Sequence, residues 1–315
     1  MAPAPASGPD TPFVPEPGRL ARLALDAYAE TAAEPPAGAR DRLLAAARVR
    51  RGPAVRAGFA VSYAARVAAM DALLAGATPA DWATVIVEGW TLQELVAHLA
   101  ATDSLVAAAM GVRVTGPPIA ADEVLSRTAD VIAYQRDRDP ALTRADWRAQ
   151  AEAICARAVT MDAAVPVAPG GIGFPVGDHV LARMLETWIH TADAATVIGV
   201  PLPPPLPAHI HPTADFCARL VPLTMALSGM TPGAKALRLE LTGSGGGTWH
   251  VPLDLSAPAA PHAGQPADVS ITCDTVAFCF LLGGRGTPAT FPADVDGDSG
   301  LAADVLTAAP ALSGP

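Results

Sequence analysis

The tract "VPLPPPLPAHIHP", residues 200–212, constrains this chain more than any other stretch. Proline fixes its own φ, lacks an N–H and drives the preceding residue away from helical geometry, so repeated prolines interrupt helices and sheets alike. The tract predicts a stiff linker and a domain boundary. The hydrophobic pattern changes across it. Downstream, "ALRLELTG" places Leu237, Leu239 and Leu241 in alternation with Arg238 and Glu240, the period of a strand half buried on one face. "TWHVPLDL" alternates in the same way, and the intervening "GSGGG", 243–247, is a hairpin turn. "DVSITC" predicts a third strand, "TVAFCFLLGGR" a short helix, "FPADVDG" a weak strand and "GLAADVLTAA" a closing helix. With one helix at about 213–228, these elements predict a small α/β domain over 206–315.

Upstream the pattern is helical. Helices are predicted over about 55–74, 120–138 and 143–160. "WTLQELVAHLAATDSLVAAAMG" adds another, with Thr91 and Glu94 spaced as a capping box and Gly111 as its stop. "VAPGGIGFPVG" is a loop by its glycine and proline density. Asp178 then offers an N-cap to a helix that Gly199 ends. Half the chain is hydrophobic but only 5% is aromatic, and alanine-rich sequence of that kind favours closely packed helices. Residues 1–18, rich in proline and alanine, read as disordered. Residues 19–54 carry two extra helices, "RLARLALDAYAETAA" and "ARDRLLAAARVR". The expected organisation is therefore 1–18 disordered, 19–54 extra helices, 55–205 helical bundle and 206–315 α/β.

Charge and composition narrow the partners. A net charge of −10, with one lysine, Lys235, lacks the cationic surplus that neutralises nucleic-acid phosphates. No uninterrupted apolar run approaches 18 residues, so no transmembrane helix is expected, and the N-terminus lacks the features of a secretory signal. Cys155, Cys217, Cys273 and Cys279 form no CxxC and suggest neither a structural zinc nor a disulfide framework. The expectation is a cytoplasmic monomer or homodimer with neither nucleic-acid nor membrane partners.

The chemical candidates lie in the helices. In "RMLETWIHTADAA", 183–195, Glu186 and His190 are four residues apart, which stacks them on one helix face. The pair fits an ion pair, a hydrogen bond or part of a metal site. His98, flanked by Leu95, Val96 and Leu99, offers a third donor on another helix. Two histidines and a glutamate make a three-ligand zinc site with an open fourth position, the catalytic kind. A histidine among apolar residues is equally well a hydrogen-bonded core residue, and residue types alone leave both readings open. The "GSGGG" run lacks the Lys-Ser or Lys-Thr and the helix that a phosphate loop requires. His209 and His211 lie in the proline tract without an acidic neighbour and read as surface or packing residues.

The segments "EGWTLQELVAHLAATD" and "ETWIHTADAATVIGVPLPP" resemble the two characteristic regions of the mycothiol-dependent maleylpyruvate isomerase family, within the larger DinB-like group of metal-binding four-helix bundles. The similarity covers about 55–205, and the C-terminal part resembles that family's small α/β second domain. The resemblance implies an α+β chain: an antiparallel DinB-like four-helix bundle followed by a small α/β domain. It implies His98, Glu186 and His190 as ligands of a divalent metal, zinc by donor type. In "FCFLLGGRGTP" it implies Arg285 as an active-site arginine, whose other reading is a surface residue at the end of a short helix. The implied chemistry is a metal-activated thiol, mycothiol, adding to a small-molecule electrophile. Isomerase and S-transferase outcomes share that first step, and a non-catalytic metal-binding regulatory module is the reading from a different class.

Overall fold

In the computed structural model, residues 38, 57–120, 123–255 and 266–313 are described. The expected tail and extra helices of 1–54 lie outside the described residues, Gly38 aside. Five long helices come first: α1 (Val61–Gly76), α2 (Leu92–Ala109), α3 (Val124–Gln135), α4 (Pro140–Ala158) and α5 (Val176–Ile198). Helix α1 packs on α5 and α4, and α2 packs on the same two, which closes a four-helix ring; α3 lies outside it against α2. The chain-order neighbours α1 and α2 thus sit diagonally, and α2 becomes the spatial neighbour of α5.

Local chemistry sets the ends of the helices that matter. A short hairpin, β1 (Val85–Val87) and β2 (Trp90–Thr91), leads into α2. Thr91 Oγ1 accepts from the Glu94 N–H at 3.3 Å and the Glu94 carboxylate accepts from the Thr91 N–H at 3.0 Å, the capping box expected from the sequence. Thr91→Ala removes one half of it and should cost about 1 kcal/mol in urea unfolding; an unchanged midpoint would show the cap to be idle.

Helix α5 begins earlier than expected. Asp178 is not its N-cap: the helix starts at Val176 after Pro175. A two-stranded pair, β3 (Pro166–Val167) and β4 (Phe174–Pro175), forms where a plain loop was expected, and the Val165 and Ala163 carbonyls accept from the Val176 and Gly177 N–H groups. With those donors satisfied by backbone, the Asp178 carboxylate instead pairs with Arg219 at 2.7 Å. At the far end Gly199 adopts φ 72°, the left-handed stop expected of it.

The stretch Gly58–Gly76 is long and apolar enough, by composition, to span a membrane, at a mean hydropathy of 1.3. The sequence expectation rested on uninterrupted runs, which Arg66 and Asp71 break. Helix α1 forms one wall of the bundle, with Tyr63, Met70 and Leu74 buried in the core.

The proline tract ends sooner than expected. Helix α6 runs Pro207–Leu227, rather than from about 213, with Pro207 at its start and Pro212 and Pro222 inside it. An interior proline costs about 3 kcal/mol. Against it, α6 buries Ile210, Cys217, Val221 and Met225 almost completely, and each such side chain contributes roughly 1.5–3 kcal/mol. Burial wins. Helix α6 packs on α5 on one side and on the sheet on the other.

That sheet has the strands expected: β5 (Ala236–Thr242), β6 (Gly247–Pro252), β7 (Val269–Asp274) and β8 (Asp294–Gly297), in spatial order β6-β5-β7-β8. Strand β5 runs antiparallel to β6 and parallel to β7, and β8 is antiparallel to β7. Leu237, Leu239 and Leu241 face the core. In the β5–β6 turn, a Cβ on Gly245 would lie 2.6 Å from Ile210 Cβ at a φ of +74°, so the glycine there is required by both space and backbone. Helix α7 (Thr275–Leu282) follows β7 and α8 (Ser299–Ala308) follows β8. One continuous hydrophobic core runs through bundle, α6 and sheet.

Candidate metal centre

His98 projects from α2 and Glu186 and His190 project from α5, the two helices that the ring makes neighbours. One potential ligand atom from each lies within 4.8 Å of the other two, the one such cluster of three among the described residues. His98 Nε2 is 2.8 Å from Glu186 Oε1, and the two imidazoles meet edge to face with centroids 5.4 Å apart. His190 is 7% exposed, whereas the side chains of His98 and Glu186 are 13% and 29% exposed. The cluster is thus sunk into the bundle and open on the carboxylate side.

Each donor is oriented by a partner behind it. His98 Nδ1 lies 3.3 Å from Thr128 Oγ1 of α3, and its ring rests against Trp90, with centroids 4.7 Å apart. His190 Nδ1 lies 3.3 Å from Asp193 Oδ2, and Asp193 is gripped in turn by Arg285 through Nε at 3.1 Å and Nη2 at 2.7 Å. Glu186 accepts from Arg183 Nη1 and, at 3.3 Å, from Thr102 Oγ1. Arg183 Nε donates at 2.7 Å to Asp103, which is fully buried and also accepts from Tyr63 Oη at 2.7 Å and Trp147 Nε1 at 3.1 Å. All four helices of the ring contribute to this network.

The electrostatics follow from the packing. Burial pushes the Glu186 carboxyl up, but Arg183 and the two histidines outweigh it and hold it well below the usual carboxylate range. Burial likewise opposes the charge on Arg183, and Glu186 with Asp103 more than restores it. Asp193 is also held below its ordinary value: His190 and Arg285 overcome its burial. Tyr63 is pushed well above the usual phenol range, by burial first and by Asp103 second, so it remains a hydrogen-bond donor. The donor set fits a divalent ion of the zinc type. Each histidine turns its Nδ1 to an oxygen, which leaves Nε2 for a metal, and the carboxylate stays anionic.

The structure brings together the three residues the sequence singled out. It places Arg285 beside them, on the turn after α7, with the fork of its guanidinium closed on Asp193. Its Nη1 donates to the Gly283 carbonyl at 3.3 Å, and the residue borders an open cavity of about 310 Å³ lined by Phe280, Thr287, Thr290 and Phe291. Sequence reasoning missed Asp193, Arg183, Asp103, Tyr63 and Trp147. A signal existed for two of them: Arg183 and Asp193 stand three residues either side of the Glu186–His190 pair, on the same helix face. His211 packs its ring 5.7 Å from Trp249 and lies 3.1 Å from the Gly245 carbonyl, a packing residue as expected.

Residues 63–195 match the family model of the mycothiol maleylpyruvate isomerase N-terminal domain. That span contains His98, Glu186, His190 and Asp193 and stops before Arg285, so the resemblance read from the sequence is borne out over the bundle. Two uncharacterized proteins from strains of Mycobacterium tuberculosis are each 26% identical over 257 residues, 78% of this chain and 91% of theirs. Two crystal structures of the mycothiol-dependent maleylpyruvate isomerase, one of them of a mutant, are also similar. The mutant is 18% identical with a TM-score of 0.48, covering 75% of this chain and 91% of its own; the other is 19% identical with a TM-score of 0.46, covering 72% and 88%.

Proposed function

We propose that this protein is a metal-dependent enzyme that uses mycothiol to act on an electrophilic small molecule, as a maleylpyruvate-isomerase-like isomerase. The observation that carries this reading is the convergence of His98, Glu186 and His190 inside the segment that matches the family model. A divalent ion at this position would favour the thiolate form of a thiol whose own pKa is about 8.5, and the thiolate is the nucleophilic form. The protein supplies the rest. His98 and His190 present ring nitrogens to the cluster, and Arg183 keeps Glu186 ionised without taking it out of the cluster. The bundle buries His190 and leaves His98 and Glu186 only partly exposed. Arg285 stands at the cavity rim, where its Nη1 would meet an anionic group of the substrate. For an isomerase, sulfur adds to a double bond conjugated with a carbonyl, the resulting single bond rotates, and elimination of the thiol restores the double bond as the trans isomer.

The test is metal analysis of the full-length protein followed by incubation with mycothiol and maleylpyruvate. Expected are one zinc per chain and mycothiol-dependent formation of the trans isomer, lost with a chelator and restored by zinc. A stable sulfur conjugate in place of the isomer would assign an S-transferase. No thiol-dependent turnover of maleylpyruvate or other electrophiles by the zinc-loaded protein would contradict the enzyme reading.

A further inference from the structure

Asp193 connects the C-terminal α/β segment to the candidate metal centre. Its Oδ2 lies 3.3 Å from His190 Nδ1 and 2.7 Å from Arg285 Nη2, while Arg285 Nε lies 3.1 Å from Oδ1. The carboxylate therefore has one face toward a bundle histidine and both oxygens toward an arginine 92 residues further along the chain. A carboxylate behind a ligating imidazole fixes its ring orientation and tautomer and raises its basicity.

The arginine is itself held. Its N–H donates to the Phe280 carbonyl at 2.8 Å, closing the end of α7. A Cβ on Gly283 would lie 2.0 Å from Ile189 Cδ1, so the turn carrying Arg285 approaches α5 beside His190, and a larger residue there would have to displace the Ile189 side chain. Phe280 meets Trp188 edge to face, with centroids 5.1 Å apart. Both contacts fasten the end of α7 to α5 about one turn before Asp193, and the guanidinium reaches Asp193 from that packed turn.

Resting on the metal-centre reading above, we infer that Asp193 is a positioning residue for His190 and that Arg285 acts on the metal centre through it. The α/β segment thereby helps set the affinity of a site to which it contributes no ligand.

The experiment is competitive zinc titration of the full-length protein and its variants, with folding checked by circular dichroism. Asp193→Ala should weaken zinc binding by about 10–100-fold, the range for loss of a carboxylate behind a metal-bound histidine. Asp193→Asn, which keeps an acceptor for Nδ1–H but not the charge, should recover part of the loss and guards against a misfolded alanine variant. Arg285→Ala should weaken binding in the wild-type background and add nothing in the Asp193→Ala background, since residues acting in series are not additive. The cobalt-loaded Asp193→Ala protein should also show a shifted visible d–d spectrum, which a purely structural role would leave unchanged. Wild-type affinity in the folded Asp193→Ala variant, or an equal Arg285→Ala loss in both backgrounds, would overturn the positioning role alone. A wild-type protein that does not bind zinc at this cluster would overturn the reading on which the inference rests.

Discussion

Replacing Asp103 with alanine should destabilise the protein by about 3–5 kcal/mol, the cost of leaving a buried charge without its partner. The carboxylate is fully buried and holds Arg183, Tyr63 and Trp147 from three other positions in the bundle. Its removal leaves the Arg183 guanidinium in the core with Glu186 as its one remaining acid. Glu186 would then be drawn further toward Arg183, so weakened metal binding should accompany the lost stability. Asp103→Asn keeps one acceptor oxygen, which Tyr63 and Trp147 can share as they share Oδ2, and should cost less than alanine. Urea unfolding of the metal-free forms separates the two effects, and an alanine variant within about 0.5 kcal/mol of wild type would show that this network does not support the fold.

Substituting Glu186 or His190 by alanine has the largest expected effect on function. Either change removes one of three clustered donors, and the fall in zinc affinity should exceed the roughly 10–100-fold expected for a residue behind the ligands. Thiol-dependent turnover should fall with it. The two substitutions should differ in stability. Glu186→Ala strips Arg183 of one of its two carboxylates, whereas His190→Ala leaves the Asp193–Arg285 pair in place. Elemental analysis and urea unfolding of both variants would show this. Full zinc occupancy in either one would remove that residue from the site.

Much of this arrangement was legible in the sequence because it is written in local pattern. The capping box at Thr91 and Glu94, the alternation of Leu237, Leu239 and Leu241, and the stop at Gly199 depend on neighbours a few residues away. The Glu186–His190 spacing is local too. What was not legible depends on which helices become neighbours. Nothing in "ELVAHLAATD" shows that Asp103, rather than His98 alone, faces the helix that carries Arg183. Nothing near Arg285 shows that its fork closes on Asp193. The start of α5 was misplaced because the backbone of 163–165 caps it, a long-range substitute for the Asp178 cap that the sequence offered. The start of α6 was misplaced for the opposite reason: burial of Ile210 and its neighbours overrides a proline that local rules read as a break.

The central claim is that this centre makes a thiol nucleophilic at neutral pH. Proton release on mycothiol binding tests it most directly, measured at pH 7 by titration calorimetry in buffers of different ionisation enthalpy. A thiol with pKa near 8.5 is almost fully protonated at that pH, so binding to the zinc-loaded full-length protein should release close to one proton. The metal-free protein and an S-methylated thiol should release none. Binding to the zinc-loaded protein without proton release, or equal release from the metal-free form, would contradict the account.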